Sequence, residues 1–375
     1  MKIVADDKIP FLKGVLEPFA EVDYIPGNMI SGSHLKDADA LLVRTRTRCN
    51  ENLLKDSHVK FIGTATIGYD HIDTAYCEKQ GIIWKNAPGC NASSVNQYIA
   101  STLVNLALRF GFSLKDRTLG VVGVGNVGRR VVHLAEMLGM CVYLCDPPRV
   151  RREGVCGFIS LDGIIRECDI ITFHVPLNLT GEDKTYHMID QALLNKVNRG
   201  TIIINTSRGE VADGQALKDA LRHANIAGLV LDVWENEPAI DRELMHMCTL
   251  ATPHIAGYSA DGKMSGTAMI LRELSRYFNL EMENWKTNHI QDPMNHEIRI
   301  DCKSLTHEEV IFRAILHTYN VADDDKKLRE TPESFEKQRG EYLPRREFKA
   351  FTLVLDHADY EIKAKCQKIG FKIPD

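Results

Sequence analysis

Short runs of β-branched and apolar residues alternate with stretches in which apolar side chains recur every three or four positions, and this alternation continues through most of the 375-residue chain. The short runs predict strands, the longer repeat predicts helices, and their regular exchange predicts parallel sheets joined by crossover helices. Before about residue 90 the strand candidates are "KIVAD", "ALLVRT", "KFIGTAT" and "GIIWKN", which together predict one α/β unit. A helical pattern follows over 93–110, carried by Val95, Ile99, Leu103, Leu106 and Phe110, with Ser93 or Ser94 as its cap. This helix is placed to bridge two domains. A second series, "TLGVVGVG", "CVYLCD", "DIITFHVP", "TIIINTS", "GLVLDVW" and "CTLATPHI", predicts a doubly wound sheet. Beyond the helical pattern at 264–281 the alternation lapses, so a boundary is expected near 285–290. The remainder keeps a helical pattern, "EEVIFRAILHTY", and a strand-like run, "KAFTLVLD", as a small α/β module. Between them, "VADDDKKLRETPESFEKQRGEYLPRREF" reads as a long solvent-facing connection.

Composition narrows the class without changing the architecture. With 44% hydrophobic and 26% charged residues and a net charge of -5, the chain reads as an ordinary globular protein with no general attraction to polyanions, so nucleic acid is not an expected partner. The opening "MKIVADDKIPF" reaches acidic side chains before any apolar run, and no stretch approaches a membrane span, so a cytoplasmic protein with no membrane partner is expected. The cysteines fit that compartment. They form no Cys-x-x-Cys pair, and Cys141, Cys145 and Cys168 lie in apolar runs, which favours buried free thiols over disulfides; no metal site is expected.

"GVGNVG" carries the first candidate chemistry. Gly123, Gly125 and Gly128 follow an apolar run and open a helical pattern, the arrangement that brings a pyrophosphate against backbone N–H groups at a helix N-terminus. Asp146 closes the next strand candidate about 20 residues further on, where a carboxylate accepts hydrogen bonds from an adenosine ribose and repels a 2'-phosphate. NAD is therefore the expected cofactor, although Arg149, close behind Asp146, is a cation able to contact a phosphate.

Later strand ends supply the reactive groups. Arg208, in "INTSRGEVAD", is expected on a loop over the ligand crevice, where a guanidinium can clamp a carboxylate through parallel hydrogen bonds. Asp232 ends the next strand candidate and is expected to accept from the nicotinamide amide. Glu237 lies in the following loop and His254 ends the strand candidate after it. An acid that holds one imidazole nitrogen stabilises the imidazolium and aims the other nitrogen at substrate. His174 ends a strand over the same crevice, with its loop beside the nicotinamide ribose and its backbone mattering more than its ring. His133, His187, His223 and His317 lie in helical or polar contexts and are expected at the surface or in packing.

Taken together, "GVGNVG" with Asp146, "HVPLNLTGEDKTYHMI", "NTSRGEVAD", "LDVWENEP" and "TPHIAGYS" resemble the D-isomer-specific 2-hydroxy-acid dehydrogenases, in the family's order across residues 123–259. The resemblance implies Arg208, Glu237 and His254 as the catalytic set. It implies cofactor contacts from Gly123, Gly125, Asn126, Val127, Gly128, Asp146, His174, Val175, Thr206, Ser207, Asp232 and Gly257, and substrate contacts from Thr45, Thr66 and Tyr258. It also implies a split topology: a flavodoxin-like catalytic domain from 1–93 and 255–285, an inserted Rossmann NAD domain over 94–254, and a C-terminal dimerisation domain over 286–375, hence a homodimer. "IGYDHID", "NAPGCNA" and "HIAGYSADGK" point within the family to the oxidation of a phosphorylated 2-hydroxy acid, 4-phospho-D-erythronate, in vitamin B6 synthesis. The chain departs from the expected pattern in "VRTRTRCN", where Thr45 replaces a serine and Arg46 an apolar residue.

Two sources of cations are expected for the phosphate: Arg44, Arg46 and Arg48 beside Thr45, or Arg345 or Arg346 of a partner subunit. Two other functions fit the same motifs. One is a related enzyme such as a 3-phosphoglycerate dehydrogenase; the other is an NAD-sensing scaffold resembling the corepressors of this family.

Overall fold

The computed structural model describes residues 1–154, 157–286, 290–343 and 345–374, and the chain divides into two compact units. The first comprises 1–91 and 259–291, the second 92–258 and 292–375. The expected parallel-sheet α/β architecture is borne out. Residues 292–375 are grouped in the same compact unit as the nucleotide-binding sheet.

In the first unit β1 (Lys2–Asp6), β2 (Glu21–Ile25), β3 (Ala40–Val43), β4 (Phe61–Thr64) and β5 (Ile83–Lys85) form a parallel sheet in the order β2-β1-β3-β4-β5. The short helices α1 (Glu51–Leu54) and α2 (Thr74–Gln80) lie between these strands in the chain. Strands β3 and β4 are buried along their whole length, as the continuous apolar runs require of a sheet covered on both faces.

The second unit opens with α3 (Ala92–Phe110), buried on nearly every side. Because the helix starts at Ala92, Ser93 and Ser94 fall inside its first turn rather than capping it, and the Ser94 hydroxyl instead donates to Glu347 at 3.0 Å. The nucleotide-binding half follows as β6 (Thr118–Val122), α4 (Gly128–Met137), β7 (Cys141–Cys145), α5 (Pro147–Glu153), α6 (Leu161–Glu167), β8 (Ile170–Phe173), α7 (Gln191–Leu194), β9 (Ile202–Asn205), α8 (Gly214–Arg222), β10 (Gly228–Leu231), α9 (Arg242–Met247) and β11 (Leu250–Ala251). All strands are parallel in the order β11-β10-β9-β8-β6-β7, and Phe158 adds an isolated bridge beside Leu144 on β7. The order reverses between β6 and β8, which places a ligand crevice at their C-terminal ends. The nine described cysteines are free thiols; Cys145 and Cys168 are buried, whereas Cys141 starts the edge strand β7 with an outward face and is exposed.

The chain then returns to the first unit with α10 (Ala260–Phe278), whose Gly266 lets the helix approach closely: a Cβ there would stand 2.8 Å from the Ala65 carbonyl oxygen. The last segment carries β12 (Glu297–Asp301), α11 (His307–Thr318), α12 (Val321–Glu330), α13 (Phe335–Gly340), β13 (Thr352–Asp356) and α14 (Tyr360–Ile369), with β12 and β13 paired in parallel. Its Ile311, Ile315 and Leu353 share one apolar core with Ile99 and Leu103 of α3 and Val131 of α4. The stretch expected as a solvent-facing connection is therefore largely helical. Val321, Leu328 and Phe335, seven residues apart, are buried at 0%, 0% and 1% exposure and anchor α12 and α13 despite the charged residues between them. No helix among the described residues is long and apolar enough to cross a membrane.

Candidate active site

The glycine-rich loop joins β6 to α4 at the switch point. Gly123 has φ +87°, and a Cβ on it would stand 2.6 Å from the His174 carbonyl oxygen; one on Gly128 would stand 2.1 Å from the Gly123 oxygen. Gly125 meets nothing within 4 Å, which leaves open space over the loop. Two glycines thus serve close packing and the third leaves room, the combination a dinucleotide pyrophosphate needs. Val127 precedes α4 and Asn126 lies in the turn before it, within 3.5 Å of Arg129. Val175 lies against Gly123, and burial pushes the His174 ring down to about 3, so it is neutral; its Nε2 meets the Thr172 hydroxyl at 3.0 Å and its Nδ1 the Thr206 hydroxyl at 3.4 Å.

Asp146 caps α5, accepting from Arg149 N at 3.0 Å through one oxygen and from Val124 N at 2.8 Å through the other. Arg149 is itself engaged, by the Val124 carbonyl at 3.0 Å and by Glu153 at 2.6 Å. The carboxylate keeps lone pairs for a ribose while the neighbouring cation is neutralised. Asp146→Asn keeps the cap but removes the charge, and is expected to weaken NADH binding about tenfold and to narrow the preference over NADPH, since a hydrogen bond to a charged group is worth about 1.5–3 kcal/mol. Parallel fluorescence titrations with the two nucleotides measure both effects.

On the next strand ends, the loop after β9 turns at Arg208 into a short 3-10 helix, Gly209–Val211. A Cβ on Gly209 would lie 2.0 Å from the Trp234 carbonyl, so glycine is what allows the Arg208 loop to pack on the loop carrying Glu237. Asn205 organises the turn, donating to Arg208 O at 2.9 Å and accepting from the buried Ser207 hydroxyl at 2.7 Å. The Arg208 guanidinium donates to Ser207 O at 2.7 Å.

Glu237 and His254 meet. The imidazole Nδ1 stands 2.8 and 3.0 Å from the two carboxylate oxygens, and Trp234 N donates to Oε1 at 3.0 Å. His254 Nε2 has no protein partner among the described residues. Burial by itself raises the Glu237 carboxyl, but the His254 hydrogen bond and the His254 and Arg339 charges outweigh it, and the group titrates below its ordinary range. It is therefore ionised at neutral pH. His254 occupies the left-handed region at φ +56°, a strained conformation for a residue with a Cβ, which persists only where its surroundings enforce it.

Asp232 is part of that enforcement, a role that no local pattern foreshadows. Fully buried, it accepts from the Thr252 hydroxyl at 2.7 Å, Ile255 N at 2.8 Å and Ala256 N at 2.9 Å, pinning the segment on both sides of His254. Burial raises its carboxyl, against the His254 charge and these hydrogen bonds. Tyr98 of α3 and Trp234 extend the network to Thr252 at 2.7 and 2.9 Å.

The C-terminal segment adds two arginines. Arg339 on α13 reaches Glu237 Oε2 at 3.4 Å and makes a side-chain hydrogen bond with Tyr258. Arg345 engages all five of its N–H donors: Gln97 Oε1 at 3.2 Å, Ile255 O at 3.2 Å, Tyr342 Oη at 3.3 Å, Ser94 O at 3.1 Å and Ala256 O at 2.6 Å. Its guanidinium also lies 4.1 Å over the Tyr319 ring. This corrects the expectation that Arg345 serves a neighbouring subunit's phosphate, because no donor remains. Arg346 pairs with Asp292 at 3.4 Å. Tyr258, expected at substrate, packs edge-on to Tyr342 at 6.1 Å, and Gly257 links it to the clamped Ala256.

The remaining candidates lie in the first unit, at the C-terminal ends of β3 and β4. Thr45 and Arg46 are exposed beside half-buried Arg44, which donates to Lys8 O at 3.2 Å. Thr66 joins the Thr64 hydroxyl at 2.7 Å and donates to Gly68 O at 2.8 Å. Burial raises the Asp6 carboxyl, and the charges of Arg44 and Arg46 act against that rise.

Comparison with known proteins places the chain in a family. Residues 92–256 match the family model for the D-isomer specific 2-hydroxyacid dehydrogenase, NAD binding domain. Over 356 residues, 95% of this chain and 99% of the relative, the sequence is 48% identical to erythronate-4-phosphate dehydrogenase of Bacteroides fragilis. The chain belongs to the D-isomer-specific 2-hydroxyacid dehydrogenase family. It is an NAD-dependent oxidoreductase. A family member from Escherichia coli with the same enzyme name is 41% identical over 374 residues, covering 99% of this chain and 98% of its own. Among solved dehydrogenases, D-lactate dehydrogenase from Aquifex aeolicus complexed with NAD and lactic acid superposes with a TM-score of 0.63 at 26% identity, covering 76% of this chain and 97% of its own. NAD-bound 3-phosphoglycerate dehydrogenase from Entamoeba histolytica gives 0.64 at 26% identity over 78% and 99%. Residues 292–370, which carry Arg339 and Arg345, match a model described only as a domain of unknown function.

Proposed function

We propose that the chain oxidises 4-phospho-D-erythronate at C2 to 3-hydroxy-2-oxo-4-phosphooxybutanoate, a step of vitamin B6 synthesis. The observation that carries this reading is the Glu237–His254 pair, held in a strained backbone on the strand ends next to Arg208. The names of the Bacteroides and E. coli relatives point to the same substrate.

Bound NAD supplies the acceptor for the C2 hydride. His254 Nε2, without a protein partner among the described residues, accepts the C2 hydroxyl proton. Nδ1–H donates to Glu237, whose negative charge makes the resulting imidazolium tolerable. Arg208 holds the substrate carboxylate and stabilises the carbonyl dipole that grows at C2. Gly125, Asn126 and Val127 cradle the pyrophosphate, Asp146 takes the ribose, and His174, Val175, Thr206, Ser207, Asp232 and Gly257 line the nicotinamide end. Thr45, Thr66 and Tyr258 contact the substrate, with Arg44 and Arg46 for its phosphate. The working form is a cytoplasmic homodimer joined through the C-terminal segment, where Leu343 and Tyr360 stand 88% and 87% exposed.

Initial rates with 4-phospho-D-erythronate, D-erythronate and 3-phosphoglycerate, read by NADH fluorescence, test the substrate. The phosphorylated four-carbon acid is expected to exceed both others by about 10² or more in kcat/KM, because a site built for a charged group is left unpaired by an analogue that lacks or misplaces it. The double variant Arg44→Ala/Arg46→Ala is expected to lose most of the preference over D-erythronate. Equal rates with 3-phosphoglycerate would overturn the assignment in favour of that enzyme, and absence of turnover with all three would favour an NAD-sensing scaffold.

A further inference from the structure

Glu237 does not serve His254 alone. Its Oε2 accepts from His254 Nδ1 at 2.8 Å and from Arg339 at 3.4 Å, while Oε1 accepts from Trp234 N at 3.0 Å. The three side chains form an imidazole–carboxylate–guanidinium chain with exposures of 26%, 16% and 19%, shielded enough for their charges to act on one another. We propose that Arg339 is a positioning residue for the proton-transfer pair: it fixes Glu237 and draws off part of its charge, so that His254 regains its neutral base form at lower pH than Glu237 alone would allow.

Three features support this assignment, which rests on the reading of His254 as the base. Arg339 is held in place, because α13 starts at Phe335, 1% exposed and packed in the same core as Trp234 and Ile240. Its Nε is buried with no partner among the described residues, whereas Arg345 nearby uses every donor; a purely structural arginine would be expected to do likewise. The third is chemical. A base for alcohol oxidation must be stabilised when protonated but still be deprotonated at working pH, and an unopposed buried carboxylate overdoes the first at the expense of the second.

The charged and titratable groups acting on the pair come from three places: Asp232 and Glu237 from the end of β10 and its loop, Tyr258 from the segment of His254 itself, and Arg339 from α13. Asp232 and Glu237 favour the imidazolium. Arg339 is the cation that bonds to Glu237, and removing it leaves the acids less opposed. The low-pH limb of kcat/KM for oxidation, which reports loss of a proton from the base, must then move to higher pH.

The test measures pH profiles of kcat/KM on the full-length holoenzyme for wild type, Arg339→Met, Arg339→Lys, Glu237→Gln and Arg339→Met/Glu237→Gln, with folding checked by NADH binding. Arg339→Met is expected to move the limb up by about half to one pH unit, less than the 1–3 units of a charge in direct contact because Arg339 acts through Glu237. Lysine should restore most of the wild-type position. Glu237→Gln should move the limb down, and in that background Arg339→Met should move it far less. A uniform loss of rate with the limb unmoved, or an equal shift with and without Glu237, overturns the proposal. If Glu237→Gln also leaves the limb in place, the base assignment falls as well; if Glu237→Gln moves it and Arg339→Met does not, only the role of Arg339 falls. Should the methionine variant fail to bind NADH, the same comparison is made with Arg339→Gln against Arg339→Lys, where a shift with glutamine alone supports the proposal and no difference overturns it.

Discussion

His254→Ala is expected to lower kcat for oxidation of 4-phospho-D-erythronate by about 10² to 10⁴, the usual worth of a positioned general base, while NADH still binds. The reason for expecting so clean a separation is structural. The ring meets the protein through Nδ1 on Glu237, and the backbone around it is held by other groups: Asp232 accepts from Ile255 and Ala256, and Arg345 donates to their carbonyls. Alanine tolerates the left-handed conformation at 254 somewhat less well than histidine, so the NADH titration also serves as the folding check. Glu237 keeps Trp234 N and Arg339 when the imidazole is gone, so the carboxylate is not abandoned in the interior. The glycine-rich loop and Asp146 lie elsewhere on the sheet rim, which is why cofactor affinity should survive. Single-turnover rates and an NADH titration on the same preparation check both halves, and turnover within threefold of wild type would refute the base assignment, an effect of about 0.6 kcal/mol.

The second large effect concerns stability. Arg345→Met is expected to cost about 3 kcal/mol, because it withdraws donors from Ser94 O, Gln97 Oε1, Ile255 O and Ala256 O and each such hydrogen bond is worth about 1 kcal/mol net, with water satisfying part of what is exposed. For a unit of this size that corresponds to a fall in Tm of about 6–12 °C. Two of these acceptors, Ile255 O and Ala256 O, follow His254 directly, so kcat should drop alongside, by about tenfold or more if the ring is displaced by a fraction of an ångström. Methionine fills the volume of the aliphatic stem, which keeps cavity formation out of the measurement. Thermal unfolding with and without NADH reads the first effect and steady-state rates the second. If Arg345 instead met a neighbouring subunit's phosphate, the variant would keep its Tm and lose affinity for phosphorylated substrate alone.

The order of strands and helices and the place of the glycine-rich loop were legible because they depend on local rules. Gly123 must adopt a positive φ, and Gly123 and Gly128 both approach other backbone too closely to carry a Cβ, requirements visible as a motif. Strand ends on one rim also follow from topology, so Arg208, Asp232, Glu237 and His254 could be named together before their contacts were known. The segment 321–348, which reads as a solvent-facing connection, differs for the opposite reason. Its charged residues hide a sparse apolar repeat, Val321, Leu328 and Phe335, each nearly fully buried. That seven-residue spacing was the available signal; a window dominated by Asp, Glu, Lys and Arg obscured it.

Family and cofactor were readable from short motifs, whose chemistry needs those residues at that spacing, and the same motifs named Glu237 and His254 as a candidate pair. How Glu237 and His254 are held depends on contacts between distant segments. Asp232 turned out to spend its carboxylate on the backbone around His254, and Arg339 and Arg345 come from a helix and loop more than 80 residues further along the chain. Such contacts depend on which core the distant segment shares. α11 and β13 bury their apolar faces against α3, and the same burial brings the arginines to the carboxylate and the carbonyls, a coincidence in space that no local pattern encodes.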